Sequence, residues 1–171
     1  TVNSFVYEMM MNTGQELLAK EYGLLPFEVR VLEPKRTLCE KIMSLVRFSH
    51  TDYPINDLSN KIRHTYDIYV MLKDDEIKSF FDSPDFDILL NKIGLEDLVS
   101  FKNNNQWLNL HPAEAILFKE SDGTWESLKS AYNSDFKELV FGDFPDEELI
   151  LASIKTVGER LSGIGWNVKT E

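Results

Sequence analysis

The sequence predicts a mainly α fold, a helical bundle-like domain with one short strand near residues 27–32. Apolar residues recur at helical spacing over most of the chain. Proline and small or acidic residues stand where these helices are expected to begin. The stretch "FEVRVL" at 27–32 alternates residue by residue, as a half-buried strand does. No repeat, low-complexity tract or linker is visible, so we expect residues 1–171 to form a single helical domain.

The part before residue 75 carries the clearest element patterns. Residues 4–21 show mixed helical periodicity, and Gly23 marks the turn that follows them. Pro34 ends the strand. Thr37 and Glu40 fit the T-x-x-E capping box, which predicts a helix that starts at Thr37 and runs to about residue 48.

The stretch "SHTDYPIND" that follows is predicted to be a loop, because Pro54 breaks regular structure. A second helix is expected from about Asp57 to Lys73. The polar "FKNNNQW" at 101–107 is expected to be a loop as well. Beyond residue 73 the pattern predicts short helices at 74–82, 84–93, 95–103, 112–119, 123–140 and 145–162.

Composition and charge exclude several classes of protein. The net charge of −11 argues against a surface that binds nucleic acid along its whole extent. No apolar run is long enough to span a membrane, no signal peptide is visible, and the single cysteine allows no internal disulfide. We therefore expect a cytoplasmic protein without a membrane partner.

The basic residues are unevenly spread. Residues 35–64 hold six Lys and Arg against three Asp and Glu, a local charge of +3 within an acidic chain. This is either chance clustering or a positive pocket for an anion such as a triphosphate.

The helix that ends near residue 48 places a lysine inside an apolar arc. At about 100° per residue, this arc contains Leu38, Cys39, Ile42, Met43, Leu45 and Val46, with Phe48 at its edge. The opposite side carries Glu40, Ser44 and Arg47. Lys41 falls between Phe48 and Leu45, where a lysine must reach water with its tip, find an anion or lose its charge. Snorkelling and function both stay open for Lys41, whereas Cys39 is expected to be a core thiol.

The second helix carries another charged pair. Its apolar face is predicted to contain Leu58, Ile62, Thr65, Tyr66, Tyr69, Val70 and Leu72. Arg63 and Asp67 stand four residues apart at the border of that face and can form an ion pair. A surface pair without function stays open for them.

The stretches "VLEPKRTLCEKIMSL" and "KIRHTYDIYVML" resemble the AbiEii/AbiGii nucleotidyltransferase toxin family of phage-abortive-infection and type IV toxin–antitoxin systems. That family's third motif has a Glu-Lys pair on one helix, then a helix reading roughly Arg-Asp-x-x-Asp with an aromatic residue before the last Asp. Lys41, after Glu40, matches the first part, and the set Arg63, Tyr66 and Asp67 matches the second. His64 stands where the common form has its first Asp, so the role of His64 stays open. The stretches "NNNQWLNLHPAEAILF" and "TWESLKSAYNSDFKELVFG" extend the resemblance over nearly the whole chain.

The resemblance implies that this chain is the C-terminal half of an α+β nucleotidyltransferase. The family's nucleotide-binding half begins with a Gly-Ser and an Asp-x-Asp on a sheet, which hold the triphosphate and the metal ions. This sequence has no Gly-Ser, and its Asp-x-Asp at 85–87 follows Pro84, where it is expected to be a solvated helix start. With Thr as the first residue, we expect the chain to be a fragment that lacks its N-terminal lobe.

The resemblance also implies roles for single residues. We expect Lys41 and Asp67 to be catalytic, with Lys41 on the phosphates and Asp67 orienting it or accepting the proton of the acceptor hydroxyl. We expect Arg63, Arg36 and Arg47 to bind substrate, and we expect no metal ligand in this part. Mg²⁺ and a nucleoside triphosphate are expected for the full-length protein and none for this fragment alone, which should be inactive by itself. The implied partners are the missing N-terminal lobe, an antitoxin and a nucleic-acid acceptor such as tRNA.

Two other functions compete with this one. The chain is alternatively a non-catalytic helical module that binds an antitoxin or a nucleic-acid acceptor, in which case the solvent-facing side of its C-terminal helices should form an apolar patch. In the plainest alternative it is a structural helical domain in which Lys41 reaches open solvent. Contact between Lys41 and Asp67 on a concave surface is what the enzymatic hypothesis requires.

Overall fold

The regular structure of this protein is helical in the residues that the computed structural model describes, which are 3–28 and 33–170. The mainly α prediction is confirmed. Residues 29–32 of the predicted strand lie outside the described residues. Of the two described residues of that strand, Phe27 forms an isolated β-bridge. The chain divides into two compact units after residue 32. Because residues 29–32 join these units, the single domain expected over 1–171 stays a prediction.

The first unit contains two short helices, α1 (Phe5–Asn12) and α2 (Glu16–Glu21). Ser4 caps α1, since its Oγ accepts a hydrogen bond from the Tyr7 amide at 3.1 Å. The periodic stretch predicted at 4–21 is interrupted at Gly14, whose φ of +70° ends the first helix. The predicted turn at Gly23 is confirmed by a φ of +65° there.

The second unit begins with α3 (Pro34–Phe48), and here the predicted N-cap is wrong. The cap is Glu33, and Pro34 occupies the first helical position, where its fixed φ suits the helix and its missing N–H costs nothing. Thr37 lies inside the helix, and its hydroxyl donates to the Glu33 carbonyl at 3.1 Å. Glu40 is not part of a capping box but accepts a hydrogen bond from Arg36.

The loop and second helix predicted after α3 also need correction. Pro54 does not break structure but begins α4 (Pro54–Ser59), again as the first helical residue. The chain is irregular at Asn60 and Lys61 and becomes helical again in α5 (Ile62–Met71). One predicted helix is thus two, which lets α5 take its own direction along α3.

The remaining helices follow the predicted order with three differences. They are α6 (Asp75–Phe81), α7 (Pro84–Ser100), α8 (Ile116–Lys119), α9 (Ser121–Ala131) and α10 (Glu147–Ser162), with 3₁₀ turns at Gln106–Asn109 and Pro112–Glu114. Helix α7 runs through Gly94, where the sequence predicted two helices. The helix predicted at 112–119 is divided at Ala115, which is extended. The helix predicted at 123–140 ends its regular part at Ala131 and is kinked within Tyr132–Phe136, where Ser134 lies outside helical geometry.

Helix α3 is the centre of the second unit. It packs against α4, α5, α6, α7 and α8, while α10 packs against α5, α8 and α9. The arc predicted on α3 is confirmed, because all six of its residues are buried: Leu38, Cys39, Ile42, Met43, Leu45 and Val46. An aromatic cluster of Trp125, Tyr132, Phe136 and Phe144 closes the end near this kink. Burial on this scale is the main source of the unit's stability.

Candidate functional site

Lys41 of α3 and Asp67 of α5 meet where these two helices pack together. The Lys41 Nζ donates to the Asp67 Oδ2 at 2.7 Å, although 26 residues separate them in the sequence. The exposed fractions of the two side chains are 21% and 18%. Of the three outcomes open to a lysine in an apolar arc, the structure therefore has the second, an anionic partner. Such a charge-assisted hydrogen bond is shorter and stronger than a neutral one.

Both helices are oriented by their buried faces. Ile62, Thr65 and Ile68 of α5 are buried, and the Thr65 hydroxyl donates back to the Ile62 carbonyl at 2.7 Å. With these residues inward, the helical period leaves Asp67 at the edge of α5 that faces α3. Val70, which the sequence placed on the buried face, is exposed.

Arg63 is the second cation at Asp67. Its Nε lies 3.5 Å from the Asp67 Oδ2, across one turn of α5. The Arg63 side chain is 76% exposed, so most of its guanidinium faces solvent. Asp67 thus holds one partly buried cation closely and one exposed cation loosely. The exposed pair adds at most a few tenths of a kcal/mol, about 0.3–0.5.

His64 lies beside this pair and is kept neutral. Its Nδ1 is buried and has no hydrogen-bond partner within the described residues. Burial, and then the charge of Lys41, lower the pKa of His64 from 6.5 to about 4. At neutral pH the imidazole is therefore uncharged. The Asp67 carboxylate is the charged group that Lys41 pairs with.

A pocket of about 220 Å³ adjoins the pair on the outer side of α5. This α5 pocket is lined by Arg63, Tyr66, Asp67, Phe136, Leu139, Val140 and Phe141. The Tyr66 ring meets the Phe136 ring edge-on, with centroids 5.5 Å apart. Lys41 is not among the residues that line the pocket in the described part of the chain, and it reaches the pocket through Asp67.

Sequence reasoning missed the far wall of the α5 pocket. That wall consists of Leu139, Val140 and Phe141. The sequence predicted a helix up to residue 140, in which such side chains would lie on a regular helical face. Instead the chain leaves the helix by residue 139, and Ser134 already lies outside helical geometry at φ −99° and ψ −114°. The run "LVFG" at 139–142 was the available signal, because three apolar residues before a glycine suit a chain turn better than a solvated helix end.

Arg36 and Arg47 do not reach Lys41 and Asp67. Arg36 pairs with Glu40 at 2.7 Å and with Glu96 of α7 at 2.5 Å. Arg47 stacks on the rings of Phe48 and Phe101. Both arginines line a groove of about 320 Å³ between α3 and α7. Arg36 and Arg47 do not reach the pair because they lie on the side of α3 that faces α7, away from Lys41.

The basic stretch 35–64 does not form one positive pocket. Lys35 pairs with Glu76 at 2.8 Å, while Lys61 lies over the Phe48 ring. The cations of this stretch point in several directions: Lys35, Arg36, Lys41 and Arg63 pair with acids, whereas Arg47 and Lys61 lie on aromatic rings. The chance-clustering alternative fits this arrangement.

The described residues contain no group of three or more His, Cys, Asp and Glu that could hold a metal ion. Asp85 and Asp87 lie in the first turn of α7, the helix start predicted for them, and Asp87 pairs with Arg160 of α10. Within residues 3–28 and 33–170, every helix is too short or too polar to cross a membrane.

Comparison with known proteins decides the family. The family model described as nucleotidyl transferase AbiEii toxin, type IV TA system, matches residues 9–153. The chain belongs to the AbiEii family. The match covers α3 to α9 and includes Lys41, Arg63 and Asp67, so the resemblance of the two helical motifs is confirmed at the level of the family. No curated protein and no solved structure matches the chain significantly.

Proposed function

We propose that Lys41 and Asp67 form one wall of the nucleoside triphosphate cleft of an AbiEii nucleotidyltransferase. The 2.7 Å contact between them carries this proposal. Two residues that the family motif names on separate helices share one hydrogen bond, at the edge of a pocket. A lysine that merely snorkels would have its charge in open water, which the 21% exposed fraction of Lys41 does not favour.

Lys41 has donors to spare for a substrate. Its ammonium carries three N–H groups, and Asp67 accepts from one of them. The others are able to donate to a non-bridging oxygen of the α-phosphate or to the leaving pyrophosphate, where negative charge develops during transfer. Partial burial strengthens that interaction, because the local dielectric is lower than that of water.

Asp67 takes the proton in the proposed reaction. The acceptor hydroxyl oxygen attacks the α-phosphorus, the bond from that phosphorus to the β-phosphate oxygen breaks, and pyrophosphate leaves. The hydroxyl proton moves to the Asp67 carboxylate. Lys41 and Arg63 hold that carboxylate in place, at 2.7 Å and 3.5 Å from its Oδ2.

The described residues do not fit the Mg²⁺ that nucleotidyl transfer uses. They offer no cluster of three possible ligands, and both nearest cations are already directed at Asp67. In the proposal, the Gly-Ser and Asp-x-Asp segments of the family lie outside these 171 residues and hold the metal ions there.

The test is a transfer assay on the protein that carries both the Asp-x-Asp lobe and this chain. Wild type, Lys41→Ala and Lys35→Ala are incubated with Mg²⁺, bulk tRNA and each α-labelled nucleoside triphosphate. We expect Lys41→Ala to lose about 100-fold or more in rate, the usual loss for one electrostatic donor. Lys35→Ala is the matched control, because Lys35 stands on the same helix and pairs with Glu76 instead. Wild-type rates in Lys41→Ala, or no transfer by wild type with any nucleotide, would count against the proposal.

A specific observation favours docking as a second function. Ile88, Leu95 and Val99 are exposed along one side of α7, at spacings of seven and four residues. Because the chain belongs to a family of type IV toxin–antitoxin systems, an antitoxin is the partner to test. We expect Leu95→Asp to abolish antitoxin binding in a pull-down and to leave transfer unchanged, and retained binding would remove this stripe from consideration.

A further inference from the structure

The α5 pocket holds apolar surface that the proposed transfer chemistry does not use. Phe141 has an exposed fraction of 105% and Leu139 one of 80%, although both line a pocket that also contains Asp67. Fully exposed aromatic and aliphatic side chains contribute nothing to the core. Because they lie next to a proposed catalytic carboxylate, they are suited to contact a ligand with a flat apolar face.

We propose that the α5 pocket binds a nucleobase, presented by the nucleotide whose phosphate or hydroxyl reacts at Lys41 and Asp67. This inference rests on the proposed function, since it names the part of the substrate that the same site takes. Phe141 supplies an exposed ring face for stacking, and Leu139 and Val140 supply apolar surface beside it. Phe136 is buried and supports the pocket from behind. Base–aromatic stacking is tolerant of sequence, because every base has a π-face.

The polar end of the pocket suits the edge of a base. Asp67 uses Oδ2 for Lys41 and Arg63, and its Oδ1 accepts no hydrogen bond within the described residues. The guanidinium of Arg63 is mostly exposed and has donors besides the Nε that faces Asp67. Because the proposed reaction needs Oδ1 of Asp67 for the acceptor hydroxyl, the free N–H groups of Arg63 are the donors left for the acceptor atoms of a base edge.

The size of the pocket favours a single ring system. Its volume of about 220 Å³ is below the about 300–1,000 Å³ of pockets that enclose a drug-sized ligand. A whole nucleotide therefore does not fit inside, whereas a base fits with its sugar and phosphate directed outward. A docked protein helix would need a longer groove than these seven residues offer.

The backbone is kinked where it leads into the far wall of the pocket. Within Tyr132–Phe136, Ser134 lies outside helical geometry at φ −99° and ψ −114°. Behind the kink, the Tyr132 hydroxyl donates to the Pro145 carbonyl at 2.8 Å, so the irregular segment is held from its buried side.

The experiment measures methyl NMR spectra of the 171-residue chain, with labelled leucine and valine. The probes are AMP, CMP, GMP and UMP, ribose 5-phosphate as the matched ligand without a base, and a short single-stranded RNA. A bound base shifts the Leu139 and Val140 methyl signals through its ring current, and a phosphate alone does not. The variants are Phe141→Ala and, as the matched control, Phe5→Ala, which removes an exposed phenylalanine on α1.

We expect base-containing probes to shift these methyl signals and Phe141→Ala to weaken binding at least about fivefold, the change that about 1 kcal/mol of stacking represents. Phe5→Ala should bind as wild type does. Binding of mononucleotides identifies the base as that of the nucleoside triphosphate, and binding of the RNA alone identifies it as that of the acceptor; either result supports the pocket. Equal shifts with ribose 5-phosphate, no shift with any probe, or unchanged affinity in Phe141→Ala would overturn the inference.

The two proposals fail separately. Lys41→Ala should abolish transfer and still show base-dependent shifts at Leu139, because Lys41 does not line the pocket. If Lys41→Ala abolishes transfer but no base shifts the methyl signals, this inference fails and the proposed function stands. If bases bind in a Phe141-dependent way but Lys41→Ala transfers normally, the pocket stands and the role of Lys41 fails.

Discussion

Replacing Gly94 by alanine should destabilise the chain, although alanine is the better helix former. Gly94 lies within α7 and is buried. A Cβ at this position would lie 2.4 Å from the Trp166 Cη2 and 2.9 Å from the Val168 Cγ2. The indole would have to move outward, and its Nε1 donates to the Leu108 carbonyl at 2.8 Å, so that hydrogen bond would be strained or lost.

The expected change in the free energy of unfolding is the sum of two destabilising contributions and one stabilising contribution. Overpacking costs about 1–3 kcal/mol, and the strained hydrogen bond adds about 1 kcal/mol. The gain in helix propensity offsets about 1 kcal/mol of this. We therefore expect a net loss of about 1–3 kcal/mol, which lowers the melting temperature by roughly 2–4 °C per kcal/mol in a chain of this size.

The assay is thermal and urea unfolding followed by circular dichroism and tryptophan fluorescence. Gly123→Ala is the matched control, because Gly123 is also helical and a Cβ there meets nothing within 4 Å. We expect Gly123→Ala to raise the free energy of unfolding by about 0.5–1 kcal/mol. If Gly94→Ala melts at or above the wild-type temperature, the packing argument for Trp166 is refuted.

Three further predictions concern buried groups. The Cys39 thiol, whose pKa burial raises to about 12, should react with a thiol reagent only as fast as the chain unfolds, and rapid labelling in native buffer would contradict its place in the core. Since the pKa of His64 is lowered from 6.5 to about 4, the unfolded chain binds a proton that the folded chain does not, so the free energy of unfolding should fall as the pH drops through that range. His64→Gln should flatten this fall in urea titrations, and an unchanged pH dependence would contradict the assignment. Tyr132→Phe removes the donor to the Pro145 carbonyl and should cost about 1 kcal/mol in chemical denaturation, whereas wild-type stability would show that water replaces it.

The sequence predicted best where one pattern was strong. The apolar arc of α3 repeats over four turns, and all six of its residues are buried as expected. Lys41, the one charged residue in that arc, pointed to the candidate site for a related reason, because its position was costly without a partner. The partner itself followed only from the family motif, since no local pattern reports how α3 and α5 pack.

Prolines and glycines were the main source of error. Pro34 and Pro54 were interpreted as breakers, whereas each is the first residue of a helix. Gly94 was interpreted as a helix boundary, whereas it makes room for Trp166. The local preference of proline suits either use. At Gly94, contact with Trp166, which is distant in sequence, decides between a helix boundary and a helix interior.

The grouping of charges was the least predictable feature. Arg36 and Arg47 belong to the basic stretch around Lys41, yet acids and rings from α7 and its C-terminal end occupy them. Net charge along a window does not show which side of a helix each cation faces. The expectation that these arginines bind substrate stays a prediction, and their groove is separate from the α5 pocket.

The central claim is that Lys41 and Asp67 act together in nucleotidyl transfer. A double-mutant cycle tests it most directly, with transfer rates for wild type, Lys41→Ala, Asp67→Ala and the double variant in the protein that carries both lobes. Groups that work as a unit show strongly non-additive losses. We predict that the double variant is no slower than the slower single variant, and losses that multiply would contradict a shared role.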